Sequence, residues 1–302
     1  YSWLQSKAEF DRQVRAHEEL LKRLFAFEPL VFRNTDMIHD NALAKHIAGM
    51  GYKGMITDGS ASILKGRSPN QTYAAPDNGD FGLLLRNAAL SEDIACFFGK
   101  AKANRYAFTA ERFAERIFND HRSDSCNINV FLDYETFGIH RAGHAAFEFL
   151  EELPAALLAK NEYSFKTPGE ALEACYPRAV YDAPMTLSVQ RTGSDASVQC
   201  QRIRENEVIR KLYKLEVLVH ETGDERLLNT WGRLQSAEHY CFINGSKAPE
   251  VYSYQFTEQI HYTLEKYQQI VNILTDFEIS LITSGVEKRK KRFAQHLSAL
   301  LF

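Results

Sequence analysis

Two features that define large classes of proteins are missing from this sequence: long apolar runs and an excess of charge of one sign. No stretch approaches 18 uninterrupted apolar residues, so the sequence predicts no membrane-spanning helix. The 36 basic and 39 acidic residues nearly balance, and the one basic run, Lys288 to Arg292, is typical of a solvated helix face. We therefore expect neither a nucleic-acid partner nor a membrane partner.

Closely spaced cysteine pairs are missing as well. The five cysteines are odd in number and include no Cys-x-x-Cys pair, so the sequence predicts neither a disulfide framework nor a zinc knuckle. This usage fits a reducing compartment, and we expect a cytoplasmic protein. The chain begins at Tyr1 without a methionine and runs straight into a charged helical pattern, from which we expect that an N-terminal part is missing.

Three glycines match the residue pattern of a dinucleotide-binding fingerprint but not its structural context. Gly49, Gly51 and Gly54 spell Gly-x-Gly-x-x-Gly, but a helical pattern precedes them and a strand pattern follows. Nucleotide binding needs the opposite order. We interpret the three glycines as a helix C-cap and a turn.

Three residues at helical spacing raise the question of a metal site. His140, His144 and Glu148 recur at four-residue steps, yet His-Glu-x-x-His is absent and a single helix rarely supplies a whole site. We interpret them as one face of a helix that begins beside the rim of a sheet. We expect neither a metal nor a cofactor.

The first 150 residues alternate short apolar runs with helical patterns, which predicts an α/β fold with a parallel sheet and covering helices. The predicted strands are Leu30 to Phe32, Gly54 to Ile56, Leu83 to Leu85 and Val130 to Leu132. Helical patterns between them cover 42–50, 91–99 and 109–119. From about Val198 the pattern is helical. It predicts helices over 208–219, 226–243 and 253–282.

Polar side chains follow each predicted strand and form a predicted rim of the sheet, where the active sites of parallel α/β folds lie. Arg33, Asp58, Arg86, Asn87 and Asp133 are among them. Asp58 and Asp133 follow two different strands, and two carboxylates that face one cleft are the minimal apparatus for cleaving a glycosidic bond. With 39 acidic residues in the chain, many such pairs are possible. The pair alone therefore leaves the function open.

One block of sequence carries more information. Residues 127–140 read Asn-Ile-Asn-Val-Phe-Leu-Asp-Tyr-Glu-Thr-Phe-Gly-Ile-His, which closely resembles the segment that carries the catalytic acid in the α-amylase-like branch of glycoside hydrolase family 57. Further stretches resemble that branch in the same order, so that the resemblance covers about residues 8 to 280. These stretches are 31–36, 51–59, 68–70, 84–87 and 234–240.

The resemblance implies an incomplete (β/α)₇ barrel over residues 1–190, followed by an α-helical bundle over 191–302. It implies a retaining mechanism on α-glucans or maltooligosaccharides through a glycosyl-enzyme intermediate. By position, Asp133 corresponds to the general acid/base and Asp58 to the nucleophile. The residues that correspond to the lining of the sugar subsites are Arg33, Asn34, Glu135, His140 and His239.

The sequence departs from the family pattern at several places. The family's nucleophile is a glutamate, and Asp58 is one methylene shorter. Since retaining enzymes hold their carboxyl groups about 5 to 5.5 Å apart, withdrawing one by roughly 1.5 Å predicts a rate loss of about 10²-fold or more unless the backbone compensates. Ile139 replaces a usual glutamate, the stretch after Met185 lacks the tryptophan-rich Trp-Gly-Asn segment, and the opening His-Gln-Pro motif is absent.

Two hypotheses of function remain from the sequence. The first is a retaining α-glucan hydrolase that uses Asp58 and Asp133. The second is a catalytically impaired relative that binds or senses α-glucan. A structural or interaction protein has only the amphipathic helices in its favour, and burial already explains those.

Overall fold

A computed structural model describes residues 1–99, 108–120, 125–132, 137, 143–160, 162–188, 196–237, 239–240 and 256–300. The chain divides into two units, Glu18–Ser197 and the combination of Tyr1–His17 with Val198–Phe302. The predicted boundary between residues 190 and 191 lies outside the described residues.

The first 17 residues pack with the C-terminal helices, whereas the sequence placed them in the barrel-type domain. Trp3, Leu4 and Phe10 are buried. Ser6 Oγ donates a hydrogen bond to Glu216 Oε1 at 2.9 Å. The apolar face of this short segment is therefore covered by sequence-distant helices, which its local pattern could not indicate.

The unit of residues 18–197 contains a five-stranded sheet in the order β1-β2-β4-β3-β5. All pairings are parallel except that of β3 with β4. The fold is thus α/β with a mainly parallel sheet, as the sequence predicts. The strands are β1 Val31–Arg33, β2 Gly54–Asp58, β3 Thr72–Ala75, β4 Asn78–Arg86 and β5 Ala179–Val180.

The centre of the sheet is formed by β2 and β4. Every residue of β2 is buried, and β4 is buried from Phe81 onward, as expected for the central strands of a mainly parallel sheet that is covered on both faces. The predicted strand at Val130 to Leu132 is represented only by an isolated parallel bridge between Arg86 and Asn129. The strands β3 and β5 were not predicted.

The helices confirm the main helical patterns of the sequence. The pattern over 208–219 forms two helices that meet at Leu215, the predicted helix over 226–243 ends at Leu234, and the longest helix continues to Leu300. The helices are α1 Ser2–Gln5, α2 Lys7–Phe25, α3 Asn41–Gly49, α4 Ala61–Leu64, α5 Ala88–Gly99, α6 Ala110–Asn119, α7 Gly143–Leu158, α8 Pro168–Ala174, α9 Ala196–Glu205, α10 Glu207–Lys214, α11 Glu216–Thr222, α12 Glu225–Leu234 and α13 Phe256–Leu300.

The glycine triplet forms the predicted cap and turn. Helix α3 ends at Gly49, Gly51 has a φ of +102°, and Gly54 opens β2. A Cβ on Gly54 would collide with the carbonyl oxygen of Gly82 and with Leu172. The glycines therefore shape a helix-to-strand connection rather than a nucleotide site.

A disulfide joins Cys126 to Cys175, 49 residues apart in the sequence. The expectation of no disulfide was therefore wrong, because the fold brings together two cysteines whose spacing carries no signal. Disulfides are rare in reducing compartments. The cytoplasmic location stays a prediction, and this pairing does not support it.

Helices α9 to α13 and the N-terminal segment share an apolar interior. Leu212, Val219, Trp231 and Leu274 are fully buried there, and Trp231 Nε1 donates to the carbonyl of Leu212 at 2.9 Å. No helix in the described part of the chain combines the length and apolar character that a membrane span requires. The incomplete barrel and the helical bundle themselves remain predictions.

Candidate active site

The carboxyl ends of β2 and β4 place an acidic and a basic side chain next to each other. Asp58 ends β2 and pairs in register with Arg86, which ends β4. Arg86 Nη1 donates a hydrogen bond to Asp58 Oδ1 at 3.0 Å, and both side chains are buried. This charge-assisted bond fixes both groups, because either charge left alone would carry a large desolvation cost.

Tyr181 holds the backbone around Asp58. Its hydroxyl donates to the carbonyl of Asp58 at 2.8 Å and accepts from the N–H of Ser60 at 3.1 Å. The N–H of Gly59 donates to the carbonyl of Arg86 at 3.2 Å, and a Cβ on Gly59 would lie only 2.6 Å from that oxygen. Burial raises the pKa of the Tyr181 hydroxyl, which therefore stays a neutral donor;.

A second carboxylate lies near the ion pair. Glu92 Oε1 is 3.9 Å from Arg86 Nη2, and the Glu92 side chain is 31% exposed. One guanidinium group thus faces two carboxylates, so the cluster of Asp58, Arg86 and Glu92 carries a formal net negative charge. Such a charge stabilises a cationic centre that develops during a reaction.

The chain segment before Asp133 lies beside the same strand end. The N–H of Asn87 donates to the carbonyl of Asn129 at 2.8 Å, and Asn129 Nδ2 donates to the carbonyl of Leu85 at 3.0 Å. The N–H of Phe131 donates to Ser91 Oγ at 3.0 Å. These bonds hold residues 129–131 parallel to the end of β4.

A buried amide network supports this segment. Asn87 Nδ2 donates to Asn70 Oδ1 at 2.9 Å and to Asp120 Oδ2 at 3.1 Å. Asn70 Nδ2 also donates to Asp120 Oδ2, at 2.9 Å, while the carbonyl of Asn70 accepts from the N–H of Cys126 at 2.8 Å. Because Asn70 and Asn87 are buried, their satisfied amides fix one arrangement of the strand ends.

His39 is a buried histidine close to Tyr181. Its side chain is 1% exposed, and its ring centroid lies 5.9 Å from that of Tyr181. Neither ring nitrogen has a hydrogen-bond partner among the described residues. Burial lowers the pKa of His39 to about 4, so the ring is neutral at physiological pH.

The structure describes three of the predicted subsite residues. Arg33 is exposed at the end of β1. Asn34 uses its side chain in a turn, since Oδ1 accepts from the N–H of Thr35 and Nδ2 donates to the carbonyl of Ile38. His239 belongs to the other unit, where its ring centroid lies 6.4 Å from that of Tyr240. Their part in sugar binding stays a prediction.

Other predicted site residues lie outside the described residues, namely Asp133, Glu135 and His140. The interpretation of His140, His144 and Glu148 as one helix face also stays a prediction. His140 is not among the described residues, and His144 is described only in its backbone. Among the residues that the structure does describe, no group of three or more His, Cys, Asp or Glu side chains is arranged to hold a metal ion.

Sequence reasoning placed Arg86 and Asn87 on the predicted rim but not in the predicted catalytic set. The role of Arg86 depends on the register of the sheet, because Arg86 lies directly beside Asp58 only when β2 and β4 pair as observed. His39 and Tyr181 gave no signal in the sequence. Both contribute through burial, which depends on the packing of distant segments.

Two known proteins show similarity to the chain. One, from Methanocaldococcus jannaschii and named "Putative alpha-amylase", is 29% identical over 290 residues, which are 92% of this chain. The chain spans 61% of the length of that relative. The other is a crystal structure of 4-alpha-glucanotransferase from Thermococcus litoralis, with 14% identity and a TM-score of 0.46 over 76% of this chain and 38% of that chain.

The sequence profile of glycosyl hydrolase family 57 matches residues 1–184. This match covers more than half of the chain, and it includes β1 to β5, Asp58 and Arg86. It includes the block 127–140 and every further stretch that resembles the family except 234–240. The chain therefore belongs to glycosyl hydrolase family 57.

Proposed function

We propose that this chain carries the retaining site of an α-glucan hydrolase, with Asp58 as nucleophile and Asp133 as general acid/base. The observation that carries this proposal is the placement of Asp58, buried at the carboxyl end of β2 and oriented by Arg86. The bonded segment 129–131 beside β4 directly precedes Leu132 and Asp133, which supports a common location for the two carboxyl groups.

In this mechanism the Asp58 carboxylate attacks the anomeric carbon, and the bond from that carbon to the leaving oxygen breaks. Asp133 donates its proton to the leaving oxygen and then removes a proton from water, which attacks the glycosyl ester and releases Asp58. Arg86 acts as a positioning residue that holds one oxygen of Asp58. The net negative charge of Asp58, Arg86 and Glu92 suits the oxocarbenium-like transition state.

The name of the Methanocaldococcus jannaschii relative supports the α-glucan substrate class. Arg33, Asn34, Glu135, His140 and His239 are the proposed sugar contacts, by their position in the family motifs. An incomplete (β/α)₇ barrel followed by a helical bundle is the proposed architecture. The described mainly parallel sheet and the C-terminal helices are compatible with it.

A second candidate function is that of an impaired relative that binds or senses α-glucan. The observation in its favour is again the Asp58 and Arg86 pair. A short carboxylate held 3.0 Å from a buried guanidinium reaches less far into a cleft than a glutamate would. Attack then requires a longer distance than the near-attack range of about 3–3.5 Å.

The experiment that separates these functions is reducing-sugar release from soluble starch and maltooligosaccharides by the complete gene product. Asp133→Asn abolishes release if the hydrolase proposal is correct, while Asp77→Asn, a change in an exposed turn, leaves it unchanged. No release together with retained maltooligosaccharide binding supports the impaired relative. In that case Asp58→Glu restores turnover if the site is otherwise competent.

A further inference from the structure

A cavity of about 540 Å³ opens at the end of the sheet opposite to Asp58. Lys53, which precedes β2, contributes to its lining, whereas Asp58 ends that strand. The two ends of β2 are about 13 Å apart at the usual rise per residue. The volume lies in the range of small-molecule sites, about 300–1,000 Å³. This cavity is therefore separate from the candidate active site.

The floor of the cavity is rigid. The N–H of Lys53 donates to the carbonyl of Leu30 at 2.8 Å, and the carbonyl of Lys53 accepts from the N–H of Gly82 at 3.2 Å. Leu172 of α8 packs so closely on Gly54 and Gly82 that a Cβ on either glycine would lie about 2.5 Å from its methyl groups. The backbone of the floor is thus fixed before any ligand binds.

Tyr176 gives the cavity an exposed aromatic wall. The residue is 81% exposed, yet its backbone is held on both sides. Cys175 is bonded to Cys126, and the N–H of Arg178 donates to the carbonyl of Thr72 at 3.2 Å. Because the backbone is already held, binding has to order only the two side-chain torsions of the ring, which is the property that makes tyrosine a good contact residue.

Three charged side chains also line the cavity: Lys53, Asp80 and Glu173. None of them makes a side-chain hydrogen bond or an ion pair within the described part of the chain. Two carboxylates disfavour an anionic ligand, and the ammonium group disfavours a metal ion. A purely apolar ligand would leave these groups desolvated without partners. The lining suits a neutral molecule that has many hydroxyl groups and one apolar face.

From this geometry we infer that the cavity is a second, non-catalytic binding site for a short oligosaccharide. The apolar face of a sugar ring stacks on Tyr176, while Asp80 and Glu173 accept hydrogen bonds from its hydroxyl groups and Lys53 donates one. The choice of an α-glucan as the oligosaccharide rests on the proposed function. The site itself rests on the cavity and its lining.

Hydrogen exchange with mass spectrometry tests this inference, with maltoheptaose added to the complete protein in an Asp133→Asn background that prevents turnover. We expect slower exchange in 78–82 and 169–177 as well as around Asp58. Tyr176→Ala weakens binding at the cavity about two- to tenfold, and Tyr176→Phe preserves it. Phe147→Ala, which removes an exposed aromatic ring elsewhere in the same unit, changes neither region.

The possible outcomes separate this site from the proposed function. Protection around Asp58 alone, or an unchanged response in Tyr176→Ala, overturns the second site and leaves the hydrolase proposal standing. Protection at the cavity alone supports the second site and contradicts substrate binding at Asp58. Protection at neither region rejects both.

Discussion

Arg86 and Asp58 form a buried ion pair across neighbouring parallel strands, with 3.0 Å between Arg86 Nη1 and Asp58 Oδ1. Each of these residues ends its strand, so that the pair lies at the edge of the sheet where parallel α/β folds carry their chemistry. The pair links fold to function, because the same contact that satisfies two buried charges also orients the proposed nucleophile.

Arg86→Met removes the guanidinium that pairs with the buried Asp58 carboxylate. We expect the free energy of unfolding to fall by about 3–5 kcal/mol, measured by urea denaturation at neutral pH, with loss of any hydrolytic activity. The double variant Asp58→Asn/Arg86→Met regains part of the stability, since the buried carboxylate is removed together with the guanidinium, and Glu92 keeps contact with solvent. Arg23→Met, at an exposed position of α2, is the control. An unchanged urea midpoint for Arg86→Met would contradict the buried pair.

His39 predicts a specific dependence of stability on pH. Its pKa is lowered to about 4 in the folded protein, against about 6.5 in an unfolded chain, so the unfolded state binds more protons between these values. The contribution of the neutral His39 ring to the free energy of unfolding is therefore fully present above pH 6.5. It declines by about 3 kcal/mol as the pH falls toward 4.

The variant His39→Leu loses this part of the pH dependence. The measurement is a series of urea unfolding curves between pH 4 and pH 7 for the wild type and the variant. The exposed His17→Leu is the control and keeps the wild-type profile. Parallel profiles for His39→Leu and the wild type would show that the ring is not buried in its neutral form.

The Cys126 and Cys175 disulfide predicts sensitivity to reductant. We expect reduction, or the double change Cys126→Ser/Cys175→Ser, to lower the free energy of unfolding by about 2–4 kcal/mol. Thermal unfolding with and without dithiothreitol measures this effect. The double variant serves as its own control, since the reductant produces no further shift in it. Equal melting temperatures for reduced and non-reduced wild type would argue against the bond.

Ser91 tests how the segment before Asp133 is held. Its hydroxyl donates to the carbonyl of Asn87 at 2.7 Å and accepts from the N–H of Phe131 at 3.0 Å. Ser91→Ala leaves both groups without this partner, at an expected cost of about 1–3 kcal/mol. Hydrogen exchange in 126–132 becomes faster as a result, whereas Ser280→Ala on α13 leaves it unchanged. Unchanged exchange in Ser91→Ala would refute this anchoring.

The sequence predicted the elements whose patterns are local. The buried strand β2, the helices α3, α5 and α6, and the rim residue Asp58 all follow from periodicity and from the polar residue at a strand end. The strands β3 and β5 are too short to show a period, and β3 adds an antiparallel partner to a sheet predicted as parallel.

What the sequence could not predict depends on contacts between distant segments. The register that places Arg86 beside Asp58 is a property of two paired strands. The Cys126 and Cys175 bond joins residues 49 positions apart. The burial of His39 depends on an antiparallel bridge to Leu187, far along the chain.

We propose Asp58 as the nucleophile of a retaining enzyme, and trapping of the glycosyl-enzyme intermediate is the sharpest test of this role. The complete gene product is incubated with an activated fluorinated α-glucoside whose enzyme adduct hydrolyses slowly, and the labelled peptide is identified by mass spectrometry. The result expected from a nucleophilic Asp58 is one glycosyl group on this residue, and no adduct in Asp58→Asn. An adduct on another carboxylate, or starch hydrolysis that persists in Asp58→Asn, would contradict it.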